Sequence, residues 1–222
     1  MKILSLIIDL LYPKHCRFCN KVIGFSRCIE CEEKVAELKR PIGLPLQRQA
    51  RNMDCLAFVF SPYNYEKPVS EAILRLKFSN KPLDEKSFAL DIVNELKNCD
   101  EPLKLDIITC VPTTNREIKE HGRNLPYILA KIISQEMQLE FDPDLLLKIK
   151  ETKRQMGLSG EQRRKNIKNA FAVNSDKKLT GKSVLIIDDM FTTGSTMNEC
   201  AETLRKSGAV NCCGATIAAA VR

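Results

Sequence analysis

Two adjacent carboxylates, Asp188 and Asp189, close the apolar run VLII (residues 184–187), and the hydroxyl-rich turn Thr192-Thr193-Gly194-Ser195-Thr196 follows them. Successive strand residues point to opposite faces, so an acid pair inside a strand cannot share a ligand. At a strand's end, where the chain turns, both carboxylates can face one small polyol. The vicinal hydroxyls of a ribose suit two adjacent acceptors. The turn then offers backbone N–H groups and hydroxyls at the start of a helical pattern, which is an anion site. Gly194 permits a close backbone approach or a positive φ. A ribose carrying a 5′-phosphate satisfies both halves at once. The plain alternative, in which Asp189 or Thr193 only caps a helix, suits a lone acid pair better than this whole succession. The stretch LTGKS (residues 179–183) imitates a nucleotide-binding P-loop, but it lacks the earlier glycine and precedes its strand.

A second constellation lies near the N-terminus. Cys16 and Cys19 in CRFC and Cys28 and Cys31 in CIEC repeat a Cys-x-x-Cys pair across eight residues. Each pair sets two thiolates on one tight turn, and two turns supply four soft ligands for tetrahedral zinc. Two disulfides, or a redox dithiol, are the alternatives; the absence of a secretion signal counts against the first and the duplication against the second. Four thiolates close the coordination shell, so the zinc expected here is structural.

Eight basic residues fall between Lys148 and Lys168, Arg154, Arg163 and Arg164 among them. That is more cation than one small anion requires. Such a segment can close over polyphosphate as a lid or follow a single-stranded nucleic acid backbone; a solvated helix face is the ordinary alternative.

The elements that must carry these residues read as an α/β domain. Apolar runs CLAFVF (55–60), LDIITCVP (105–112), KSVLIIDD (182–189) and CCGATIAAAV (212–221) are strand-like. Between them KPVSEAILRLKF (67–78), DEKSFALDIVNELKN (84–98), LPYILAKIISQEM (125–137) and GSTMNECAETLRKSG (194–208) are helical. On the helix over 67–78, Val69, Ile73, Leu74 and Leu76 are expected on or near the core face. Strands apolar on both sides and separated by helices imply a central parallel sheet flanked by helices, whose ligands bind beyond the carboxyl ends of the strands. The Pro- and Gly-bearing stretch 41–54 reads as a linker, giving a small N-terminal helix and zinc module over 1–48 and the main domain over 49–222.

With 222 residues, 44% apolar and 28% charged, the chain can bury a full core, and its net charge of +7 suits anionic partners. ILSLIIDLLYP (3–13) is too short to span a bilayer and is interrupted by Asp9. It is expected to be an amphipathic helix packed on its own protein. Single cysteines within apolar segments behave as small hydrophobes, which with the lack of a signal peptide favours a reducing, cytoplasmic setting.

The stretch 184–197 resembles the PRPP-binding motif of type I phosphoribosyltransferases, and with the four-cysteine N-terminus the chain resembles the ComF family. ILRLKFSNK (73–81) is similar to that family's pyrophosphate-loop segment. VPTTNREIKEHGRN (from Val111) and KETKRQMGLSGEQRRKNIKNAF (150–171) match two further stretches in order. The chain departs from the family's Arg-Gly-Phe-Asn-Gln at His121-Gly122-Arg123-Asn124-Leu125, where an amide is lost and a cation displaced.

The resemblance implies a phosphoribosyltransferase-like fold. It implies Asp188 and Asp189 on the ribose hydroxyls at the catalytic centre, residues 192–196 on the 5′-phosphate, and Lys77 on pyrophosphate oxygens. Mg²⁺ would arrive with PRPP, held mainly by ligand oxygens. It also implies a part in DNA uptake during competence, with single-stranded DNA or a helicase as partner. The alternative is an active transferase moving phosphoribosyl to a small nitrogenous acceptor, amidophosphoribosyltransferase-like or base-utilising. The residues leave that choice open.

Overall fold

The computed structural model describes residues 15–23, 28–46, 54–79, 84–100, 103–150, 152 and 159–220. The expected helix over 3–13, Arg154 and the middle of the expected linker lie outside the described residues.

Five strands form the central sheet: β1 (Phe58–Phe60), β3 (Ile107–Cys110), β4 (Glu140–Phe141), β7 (Ser183–Ile187) and β9 (Asn211–Ala215). Their order is β1-β9-β7-β3-β4, and every pairing is parallel. In β7 the alternation of a strand becomes an alternation of cores. Leu185 and Ile187 enter one apolar cluster with α3 (Glu85–Lys97) and α5 (Leu125–Met137), whereas Val184 and Ile186 enter a second with α7 (Ser195–Lys206). A run apolar on both faces is therefore required, since each fully buried side chain of this size contributes about 1.5–3 kcal/mol. The expected parallel sheet with flanking helices is the observed fold.

Helix α2 (Val69–Phe78) buries Val69, Ala72, Ile73 and Leu76, spaced three and four residues apart along one stripe. Leu74, expected near that stripe, is instead 46% exposed, because it follows Ile73 by about 100° around the helix. The apolar run at the C-terminal end is two strands rather than one. Thr216 donates its backbone N–H to the Phe60 carbonyl, and its hydroxyl bonds Ala218 O at 3.2 Å, which turns the chain out of β9. It re-enters as β10 (Ala218–Ala219), flanked by β2 (Tyr63–Asn64) and β8 (Met190–Phe191) in a second, three-stranded parallel sheet.

Several elements had no expectation, among them α4 (Asn115–His121), α6 (Gly160–Ile167) and the antiparallel pair β5 (Leu146–Lys148) and β6 (Phe171–Val173). At the N-terminal side, α1 (Ile29–Leu38) begins directly after Cys28.

Candidate functional site

The sheet delivers the acid pair by backbone hydrogen bonds on both sides. Val111 N–H donates to Ile187 O at 2.9 Å, Asp188 N–H to Ala215 O at 3.1 Å, and Ile217 N–H to Asp189 O at 3.1 Å. The chain thus leaves β7 at the carboxyl end of the central sheet and passes at once into β8.

The two acids differ in surroundings. Asp188 is partly buried, accepts the Asp189 N–H at 2.8 Å through its own carboxylate, and lines a cleft together with residues 190–197. Asp189 is only 4% exposed and lies 2.5 Å from Lys77 Nζ. Burial, and then the Asp189 charge, push the Asp188 carboxyl up to about 7, against the opposing pull of Lys77. Burial works against the Lys77 cation, but the Asp189 carboxylate outweighs it and raises the ammonium above its usual range. Tyr65 shares this environment: burial and the Asp189 charge raise its phenol. Sequence reasoning passed over Tyr65, which follows β2 in the unremarkable string YNY.

Beyond β8 the turn has the form the composition suggested. Gly194 takes φ 73° at the N-cap of α7, a conformation that L side chains disfavour. A glycine cap supplies no side-chain acceptor, so the helix presents its electropositive N-terminus to the cleft. Thr193 Oγ1 and Ser195 Oγ lie 3.0 Å apart, and Thr192, Thr193, Gly194, Ser195 and Thr196 all line the cleft beside Asp188.

The basic segment reaches the same turn. Ser159 and Gln162 form a reciprocal capping box that starts α6. The helix lies against α7, with Asn169 N–H donating to Glu199 Oε1 at 2.6 Å. Arg163 Nη1 donates to Thr192 Oγ1 at 3.2 Å, whereas Arg164 is exposed. Lys148, the first cation of the segment, pairs with Glu117 of α4 at 2.8 Å. In the departing stretch, Gly122 ends α4 with φ 80°, and the Asn124 side chain accepts the Tyr127 N–H to start α5. The displaced cation, Arg123, pairs with the buried Glu85 of α3.

The four cysteines come together. The sulfurs of Cys16, Cys19, Cys28 and Cys31 lie within 4.8 Å of one another, and Cys19 and Cys28 are 3.5 Å apart. A tetrahedral shell of zinc–sulfur bonds places sulfurs about 3.8 Å apart, so the spacing fits a metal and no disulfide joins them. Burial opposes ionisation of Cys16, but backbone N–H groups of Cys19, Cys28 and Phe18 aimed at its sulfur hold the thiol down at about 6. Burial raises the thiols of Cys19 and Cys31 instead, and binding a metal would have to overcome this, since its ligands are thiolates.

This centre is bonded to the rest of the molecule. Phe18, between the first two cysteines, is fully buried, with its ring edge-on to Tyr63 and Phe88. Arg17 lies over the Phe88 ring at 4.8 Å, pairs with Asp91 at 2.8 Å and donates to the Tyr63 hydroxyl at 2.9 Å. Arg75 of α2 donates to the Phe18 carbonyl. No described helix is long and apolar enough to cross a membrane.

Known proteins resemble this chain over most of its length. Residues 122–221 match the phosphoribosyl transferase domain model. Competence protein F of Haemophilus influenzae is 29% identical over 87% of this chain and 85% of its own length. DNA utilization protein YhgH of Escherichia coli is 26% identical over the same shares of 87% and 85%. Among solved structures, adenine phosphoribosyl transferase of Trypanosoma brucei covers 70% of this chain and 70% of its own, at 15% identity and a TM-score of 0.40, too loose a likeness to add to the strand order. The chain is thus similar to Competence protein F and YhgH over most of its length, with a match to the phosphoribosyl transferase domain in its C-terminal half and a four-cysteine cluster at its N-terminal side.

Proposed function

We propose that the cleft binds PRPP or a related ribose 5-phosphate, and that the protein serves DNA uptake in competence by engaging single-stranded DNA or a helicase partner. The observation that carries the first half is the placement of Asp188 beside an electropositive helix N-terminus in one cleft. In this reading Asp188, which borders the cleft, accepts the ribose hydroxyls, the sealed Asp189 behind it completes the acid pair through Lys77, and the turn 192–196 holds the 5′-phosphate. Lys77 pairs with the buried Asp189 and stands ready for pyrophosphate oxygens. Mg²⁺, when bound with the ligand, neutralises polyphosphate charge. Arg163 steadies the phosphate turn from outside through Thr192.

The DNA half draws on the names of the two relatives and on the cations of α6. Arg164, Lys165 and Lys168 are exposed on the element that touches the phosphate turn through Arg163. Zinc is the metal we assign to the four cysteines, as a structural ion in a reducing, cytoplasmic setting. Calorimetry with PRPP·Mg²⁺ and with single-stranded DNA, on one preparation, tests both halves. Saturable binding of both is expected, and binding of neither would overturn the reading.

A second reading, active phosphoribosyl transfer, is favoured by one observation: Asp188 borders the cleft where positive charge would develop on the sugar. Release of pyrophosphate from PRPP on adding ammonia or a nucleobase would support it, and no release with either would leave a binding protein.

A further inference from the structure

Helix α2 carries two cations that face different centres. Arg75 Nη2 donates to the carbonyls of Phe18 and Arg17, inside the first cysteine turn. Two residues on, Lys77 holds Asp189 at 2.5 Å. The helix is pinned between them by Val69, Ala72, Ile73 and Leu76, all 2% exposed or less. Both cations lie in the last turn of the helix, so one short stretch of backbone serves both contacts. A second connection runs in parallel. Arg17, beside Cys16, binds the Tyr63 hydroxyl; Tyr63 pairs with Ala218 of β10, and β10 pairs with β8, which leads into the phosphate turn. The cysteine turn and the acid pair are thus joined by a packed helix and by a hydrogen-bonded sheet.

We propose that Arg75 is a positioning residue: acting through α2, it sets Lys77 on Asp189, so that the integrity of the four-cysteine centre governs the affinity of the acid pair for its sugar ligand. The proposal rests on the phosphoribosyl reading for the ligand, but not for the coupling itself. Arg75 lines no part of the cleft, so its loss acts on the acid pair from a distance, with α2 as the shorter of the two connections. Because coupling free energies are reciprocal, ligand at the acid pair should in turn protect the metal centre.

The test uses the full, zinc-loaded chain with Arg75→Met, Arg75→Lys, Lys77→Met and the Arg75→Met/Lys77→Met double variant. Deuterium exchange over residues 188–197 reads the coupling without ligand, and calorimetry with PRPP·Mg²⁺ reads it with ligand. In Arg75→Met, exchange in that stretch should rise severalfold and PRPP affinity should fall about tenfold, toward the lower end of the usual range for linked sites. Arg75→Lys, which can keep one carbonyl bond, should recover part of both. In the Lys77→Met background, Arg75→Met should change affinity less than about twofold, since the path is already cut.

Wild-type exchange over 188–197 in Arg75→Met, or losses that simply add in the double variant, would overturn the proposal. If Arg75→Met does not fold, wild-type behaviour of Arg75→Lys in both readouts would overturn it and intermediate behaviour would support it. Raised exchange in a protein whose wild type binds no PRPP would support the positioning role while removing PRPP as the ligand.

Discussion

Lys77 Nζ lies 2.5 Å from Asp189 Oδ2, in a place where the carboxylate is almost sealed from solvent. The neighbouring Asp188 borders the cleft. One acid of the pair has a protein counter-ion and the other meets the ligand space, so the two cannot be exchanged for one another.

Replacing Lys77 by Met leaves the buried Asp189 charge without its partner. Unfolding by denaturant should show a loss of about 1.5–3 kcal/mol, the usual scale for a charged hydrogen bond. Adding Asp189→Asn should recover part of it, because the unpaired charge is then gone. Full stability in Lys77→Met alone would mean that the pair is not formed in solution.

The cysteine centre should return close to one equivalent of zinc per chain on metal analysis. Cys28→Ser should lose most of that zinc and lower the thermal midpoint, since the Cys28 turn opens α1. A Cys28→Ser protein with full zinc and an unchanged midpoint would contradict the four-thiolate assignment.

Local features were legible because their causes are local. The apolar run 184–187, the acid pair and the glycine turn announced a strand, its end and a helix start. The cysteine spacing announced a compact four-sulfur site. Two missed helices also had local signals: Thr114 with Glu117 and Ser159 with Gln162 are capping boxes readable in the string. The pairings could not be read. Lys77 with Asp189, Arg75 with the Phe18 carbonyl and Arg123 with Glu85 each join residues from separate elements. Periodicity says which face of a helix is apolar, not which distant charge lies against its polar edge. The division of CCGATIAAAV into two strands was hidden for the same reason, since it depends on Thr216 meeting Phe60.

Affinity for PRPP should depend on pH through Asp188. Ribose hydroxyls donate to the ionised carboxylate, and this carboxyl titrates near about 7 instead of 3.8. Binding should therefore strengthen as pH rises through 7 and then level off. Stability runs the other way. The folded protein holds this proton more tightly than the unfolded chain, so the contribution is complete below 3.8 and is lost as pH rises through about 7. Ligand phosphates titrate near about 6 themselves, so the informative quantity is the difference between wild type and Asp188→Asn. Identical calorimetric pH profiles for the two would rule out the Asp188 assignment.

If α6 follows a nucleic acid backbone, Arg163→Ala with Arg164→Ala should weaken single-stranded DNA binding. It should also flatten the log–log salt dependence by roughly 0.7 for each lost phosphate contact. Fluorescence anisotropy of a labelled oligonucleotide across a salt series measures this. An unchanged slope, with PRPP binding weakened, would assign the two arginines to the phosphoribosyl site alone.

The most direct test of the central claim is PRPP·Mg²⁺ calorimetry on wild type and on the Asp188→Asn/Asp189→Asn double variant. Each lost hydrogen bond to a charged acceptor typically costs about 1.5–3 kcal/mol. The account therefore predicts saturable binding by wild type and affinity weakened at least about tenfold in the double variant. Equal affinity in the two proteins would contradict it and return the acid pair to the role of a strand end and helix cap.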